Sequence, residues 1–295
     1  MMRGLLAVVG AQPLWLHHFN ARILAWIAGS AIGYRRKVVM DNLTHAFPEK
    51  SEKEIRQICR KFYLHFADVL VEAIWFGAHK PAALRRSRMV SIANPEVIAG
   101  LREAAPSTMV MLSHTGNWEL IGGYDSFNYT DRPTGYDECN IAVVYRRLSS
   151  RIWDNIMKDN RLNMLNDPEH FDGYLESLRF VRFATQNKDR NIAYHVITDQ
   201  RPYFYGSDEV QVSFMGRPCR TMSASAKIAR RYGYALCYMN MEIESRGHYV
   251  IRYTPICEDA SKMELQEIMN RYYELLEADI RRQPENYLWT HKRWA

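Results

Sequence analysis

The chain lacks any apolar run long enough to cross a bilayer as a helix. Residues 4–16 are mostly apolar, but Gln12 and Pro13 interrupt them. The next apolar run, Ile23 to Tyr34, is 12 residues long, where a spanning helix needs roughly 20. No clear small-residue cleavage site follows, so a secretory signal peptide fits poorly. Cysteine is sparse and odd in number: Cys59, Cys139, Cys219, Cys237 and Cys257, with no CxxC pair. That argues against a disulfide frame or a zinc ribbon. It points to a reducing compartment with the thiols as small core residues. There is no H-E-x-x-H and no histidine group at ligand spacing, so neither a metal nor another cofactor is expected. There is no G-x-x-x-x-G-K nucleotide loop and no G-x-S-x-G elbow, which weakens a serine esterase. No zinc-finger or RNA-recognition signature is present, which argues against a nucleic-acid module. Internal repeats and low-complexity linkers are also absent.

What is present begins with charge. The 295 residues carry 39 basic and 33 acidic side chains, a net charge of +6. A mild positive excess suits phospholipid headgroups, an acidic carrier protein or nucleic acid without choosing among them. The two short apolar segments near the N-terminus are followed by Arg35, Arg36 and Lys37. That pattern predicts a helix lying in the membrane interface, or a shallow hairpin, with the basic triplet toward the anionic cytoplasmic face. An apolar helix packed on the domain is the alternative. His17 and His18 have no carboxylate near them in sequence and read as interfacial. The expected organisation is a membrane-associated helical segment over 1–37 and one α/β domain over 38–295.

Ser51 and Glu54 form a capping-box pattern. Ile55, Ile58, Cys59, Phe62, Phe66, Val69 and Ala73 follow at helical spacing, predicting a helix from Glu52 to about Phe76. After Pro106 the period changes. Strands are predicted at Met109 to Ser113, Ile141 to Tyr145, Ile192 to Thr198, Ala235 to Met241 and Tyr249 to Tyr253. Helices are predicted at about 118–127, 149–160, 174–185, 222–232 and 261–283, with Gly233 as a left-handed cap. This alternation predicts an α/β fold with a mixed, largely parallel central sheet flanked by helices. His195, inside a strand, reads as a buried histidine.

The chemistry concentrates in Thr108 to Leu120, TMVMLSHTGNWEL. An apolar strand ends in His114, then Gly116, Asn117, Trp118 and Glu119. Five positions on one helix would leave His114 and Glu119 about 140° apart. They can approach if His114 lies on the loop and Glu119 in the first turn of a helix. Gly116 permits the tight turn and Asn117 is a favoured N-cap. Glu119 would then hold one imidazole nitrogen and leave the other to take a hydroxyl proton. Spacing alone also fits a satisfied surface histidine; the strand–turn–helix context favours a site at a strand's C-terminal end.

These residues and several blocks in order resemble the late acyltransferases of lipid A biosynthesis (lauroyl/myristoyl type). SHTGNWE resembles their H-x4-[DE] motif. Arg36-Lys37-Val38-Val39, Asn42-Leu43 and Phe47-Pro48 are similar to the family's basic turn and N-L-x-x-x-F-P block. Val144-Tyr145-Arg146, Asp199-Gln200-Arg201-Pro202, Val212 to Gly216 with Thr221, and Pro284-Glu285 through Leu288-Trp289, His291 and Arg293-Trp294 resemble later blocks. The chain departs from the pattern in a shorter N-terminal apolar region, in Met-Ser-Ala-Ser-Ala after Thr221, and at Asn160 to Asn163.

The resemblance implies a glycerolipid-acyltransferase-like fold at the cytoplasmic face of the inner membrane. It implies acyl transfer from an acyl–acyl carrier protein thioester to a hydroxyl of a lipid A precursor. His114 would be the base and Glu119 its orienting acid. The backbone N–H groups of Thr115 to Asn117, the Asn117 side chain or Arg146 would face the oxyanion. Arg146 and Arg201 would hold substrate phosphate, with Asp199 fixing one of them. A structural ion pair reads equally well. Tyr203, Phe204 and Tyr205 with Phe214 read as an acyl channel or as core. The alternatives are an acyltransferase acting on another glycolipid or aminolipid, a lipid or thioester hydrolase with the same dyad, and a lipid-binding scaffold without turnover.

Overall fold

The computed structural model describes residues 8–123, 128–147, 150–202 and 210–294. Helix α1 (Leu14–Trp26) runs into a π-helical turn at Ile27–Ala31 and then, past Gly33, into α2 (Arg36–Ala46). Helix α3 (Glu52–Gly77) starts on the predicted capping box: Ser51 Oγ accepts from the Glu54 N–H, and the Glu54 carboxylate accepts from the Ser51 N–H at 2.8 Å. Two orphan donors of the first turn are thereby satisfied. The predicted stripe is the buried face, with Ile55, Cys59, Phe62, Val69 and Ala73 all within the core. Helix α1 lies along α3, with Ala21 against Ala67 and Val71. Its other side presents Trp15, Phe19, Ile23 and Trp26 to solvent. No helix among the described residues is long and apolar enough to cross a membrane.

The α/β part follows as α4 (Pro81–Ser87), β1 (Val90–Ile92), α5 (Pro95–Ala104), β2 (Thr108–Leu112), β3 (Ile141–Tyr145), α6 (Arg151–Asn163), β4 (Tyr174–Glu176), α7 (Phe180–Gln186), β5 (Ala193–Ile197), β6 (Gln211–Phe214), β7 (Arg217–Arg220), α8 (Ala224–Tyr232), β8 (Ala235–Ser245), β9 (His248–Cys257) and α9 (Leu265–Arg282). Seven strands form one sheet in the order β1-β9-β8-β2-β5-β3-β4. Every neighbouring pair is parallel except β8–β9. The mixed, largely parallel sheet is the one the alternation predicts. All five residues of β2 are buried, because a central parallel strand has both faces covered. That is why TMVML reads as a continuous apolar run.

Three local predictions need correction. Tyr174 to Thr185 is not one helix. Tyr174–Glu176 pairs with β3 as the sheet's edge, Ser177–Arg179 makes a 3-10 turn, and the helix begins at Phe180. Sheet pairing overrides local periodicity there. Trp118–Gly123 is a 3-10 turn, and 124–127 of the predicted helix lie outside the described residues. His18 is not a partnerless interfacial residue: its Nε2 lies 2.8 Å from Glu72 Oε1 on α3. The β6–β7 hairpin was not predicted. It turns on Met215 and Gly216, both at positive φ (50° and 74°), the geometry a two-residue hairpin needs.

Candidate active site

Strands β2 and β5 are parallel neighbours, with Leu112 opposite Ile197. His114 follows β2 and Asp199 follows β5. His114 Nδ1 and Asp199 Oδ1 are 2.9 Å apart. Asp199 is buried, with its side chain 3% exposed against 14% for His114. Burial raises the Asp199 carboxyl. The facing His114 and its hydrogen bond, the Arg293 charge and the Tyr287 hydroxyl outweigh that effect and hold it below the ordinary carboxylate value. An ionised carboxylate only accepts, so Nδ1 carries the proton and Nε2 keeps its lone pair. Nε2 faces the Gln200 amide at 3.2 Å, and the Trp118 ring stands edge-on to the imidazole with centroids 5.3 Å apart.

The turn beneath His114 is held from several sides. Gly116 has φ +60°, and a Cβ there would lie 2.4 Å from Met241 Cγ, so only glycine fits. Its N–H donates to Asn286 Oδ1 at 2.6 Å, and its carbonyl accepts from His65 Nε2 at 3.2 Å. Leu288 N–H donates to the His114 carbonyl at 3.1 Å. Thr115 bridges to Tyr287. The C-terminal block is anchored in turn by α2, where Asn42 Nδ2 donates at 2.8 Å to the carbonyls of both Trp289 and His291. Phe47 meets the Trp289 ring edge-on. Two distant sequence blocks, Asn42 to Pro48 and Pro284 to Trp294, thus form one clamp under the turn.

Glu119 is not the partner of His114 in this arrangement. Its Oε2 is bound by Arg161, at 3.2 Å from Nε and 2.8 Å from Nη2. The 3-10 turn carries the carboxylate toward α6 rather than back to the imidazole. Arg161, unassigned in sequence, also lies over the Tyr145 ring at 5.5 Å.

Asn117 is fully buried. Its Nδ2 donates to Glu72 Oε2 at 2.8 Å, and its N–H points to Met241 Sδ at 3.2 Å. Both donors are committed inside the protein, and the buried Oδ1 has no partner among the described residues. Glu72 also accepts from His18 and, at 2.8 Å, from Tyr249 Oη.

Asp199, expected to fix Arg146 or Arg201, is hydrogen-bonded to His114. Arg146 is exposed just past β3. Arg201 is half-buried and lines a cavity with Cys219 and Arg293. Tyr203, Phe204 and Tyr205 lie outside the described residues. Phe214 is fully buried, stacked on Trp294 with centroids 5.5 Å apart. Among the described residues no group of three or more His, Cys, Asp or Glu could hold a metal ion.

A base poised on an ionised acid can take a proton from a hydroxyl or from water. The family model for bacterial lipid A biosynthesis acyltransferases matches residues 1–295. No curated protein matches the chain.

Proposed function

Since the chain belongs to the bacterial lipid A biosynthesis acyltransferase family, we propose that it moves a fatty acyl chain from an acyl–acyl carrier protein thioester to a hydroxyl of a lipid A precursor. His114 is the general base and Asp199 fixes its tautomer. The observation that carries this reading is the 2.9 Å contact between Nδ1 and the buried carboxylate. The acceptor hydroxyl displaces the Gln200 amide and gives its proton to Nε2. Its oxygen attacks the thioester carbonyl, the tetrahedral oxyanion collapses, and the C–S bond breaks. The imidazolium returns the proton to the departing sulfur, so the enzyme ends as it began. The N–H groups of Gly116 and Asn117 are already bound, so oxyanion stabilisation falls to groups outside them. Glu119 acts through Arg161, holding that guanidinium over the Tyr145 ring.

Both substrates reach the enzyme at the cytoplasmic face of the inner membrane. The exposed apolar side chains of α1, with Trp15 at 69% and Trp26 at 64%, and the nearby basic triplet suit interfacial attachment there. The test is turnover of a lauroyl– or myristoyl–carrier protein thioester with a lipid A precursor, read by mass spectrometry. Wild type should yield acylated glycolipid, and His114→Ala almost none. Release of free fatty acid without acylated lipid would mean a hydrolase instead.

A further inference from the structure

A cavity of about 550 Å³ lies between the β6–β7 hairpin and the C-terminal segment. Arg201, Arg220 and Arg293 line it with Gln211, Cys219 and Trp294, and among the described residues no acidic side chain does. Arg293 is 3% exposed. Its Nη2 donates to the Tyr273 hydroxyl, and its guanidinium lies over the rings of Phe214 and Tyr273, at 5.2 and 5.3 Å. Its Nε and Nη1 have no hydrogen-bond partner, and neither has the buried Trp294 Nε1. A buried guanidinium is costly unless its donors are satisfied. The neighbouring acid, Asp199, is already bound by His114. Three donor nitrogens without a partner among the described residues therefore belong to two residues that line this cavity.

We propose that this cavity is a phosphate site, in which Arg293 Nε and Nη1 and Trp294 Nε1 donate to the oxygens of a substrate phosphate and Arg201 and Arg220 supply further positive charge. A phosphate monoester presents several acceptors around one centre, which suits donors arriving from an arginine and an indole together. The volume leaves room for the group that carries the phosphate. Arg201, two residues past Asp199, lines the cavity, which ties it to the segment that carries one member of the reacting pair. Which substrate brings the phosphate rests on the acyl-transfer reading: the glycolipid acceptor or the phosphopantetheine arm of the carrier.

The full chain is titrated calorimetrically with inorganic phosphate, glucose 1-phosphate and pantetheine 4′-phosphate. Saturable binding is expected. It should weaken by about tenfold or more in Arg293→Gln, the loss of a charge-assisted pair, and by a smaller factor in Trp294→Phe, which removes one N–H and keeps a ring. Tighter binding of the sugar phosphate assigns the site to the acceptor, and tighter binding of the pantetheine phosphate to the donor. No saturable binding overturns the proposal, as does wild-type affinity in Arg293→Gln. If Arg293→Gln fails to fold, Trp294→Phe and Arg220→Gln carry the test, and wild-type affinity in both overturns it. Phosphate binding needs no turnover, so its failure is distinct from failure of acyl transfer.

Discussion

His114 and Asp199 stand at matched positions above adjacent parallel strands. Leu112 and Ile197 are register partners, and each site residue lies two positions farther along its own chain segment. The histidine–aspartate contact is therefore a consequence of sheet register, with His114 Nδ1 2.9 Å from Asp199 Oδ1.

The two acids near the site have separable roles. Asp199→Asn should lower kcat on the order of 100-fold or more, because the neutral amide no longer enforces the productive tautomer. Glu119→Gln should cost less and should be mimicked by Arg161→Gln, since Glu119 meets Arg161. Steady-state kinetics on the three variants decides. A Glu119→Gln loss as deep as that of His114→Ala, with Asp199→Asn nearly active, would reverse the assignment.

Asn117→Ala should damage stability rather than acceptor binding. It removes a buried donor to Glu72, a loss of about 1–3 kcal/mol. Urea unfolding should show the loss while the acceptor KM stays within about twofold, well under the tenfold that 1.4 kcal/mol of binding represents.

Gly116→Ala combines a left-handed backbone with a clash. The first costs roughly 1–2 kcal/mol, and the contact with Met241 adds a packing cost of about 1–3 kcal/mol. Adding Met241→Ala removes the Cγ and Sδ contacts but keeps the Met241 Cβ, 2.7 Å from the new methyl, and the backbone strain, so the double variant should regain only part of the lost thermal stability. Full recovery would show that the turn tolerates a Cβ.

His195 is 1% exposed, and burial pushes its pKa down to about 4. The unfolded chain binds the proton near pH 6.5. The stability tied to neutral His195 is thus complete above about pH 6.5 and is lost as pH falls toward 4, on the order of 3 kcal/mol in all. His17, His65 and His291 are also lowered by burial and act in the same direction. Urea midpoints at pH 7.5 and 5 should differ less in His195→Gln than in wild type. An unchanged difference would place the acid sensitivity elsewhere.

Trp15→Ser with Trp26→Ser should weaken binding to vesicles containing anionic lipid and leave the melting temperature close to wild type, because both rings face solvent. Co-sedimentation measures it. Equal binding by the variant would remove α1 as the attachment surface.

Local patterns in the chain were enough for its fold class, a largely parallel sheet flanked by helices. The capping box at Ser51, the stripe of α3, the apolar β2 and the cap at Gly233 are short-range features whose periods and turn residues carry their own physics. The place of His114 just past a buried strand was legible for the same reason: a polar break, followed by Gly and Asn. The partners of the site were not. Glu119 is five residues from His114 and Asp199 is 85, and nearness along the chain pointed to Glu119 where the fold brings Asp199 to the imidazole and Glu119 to Arg161. Nothing near Asn117 in the sequence showed that its amide nitrogen would donate to Glu72. Those choices belong to sheet register and to the packing of α3 and the C-terminal block beneath the turn. Such contacts join segments far apart in sequence, and only the folded chain decides which buried donor meets which acceptor.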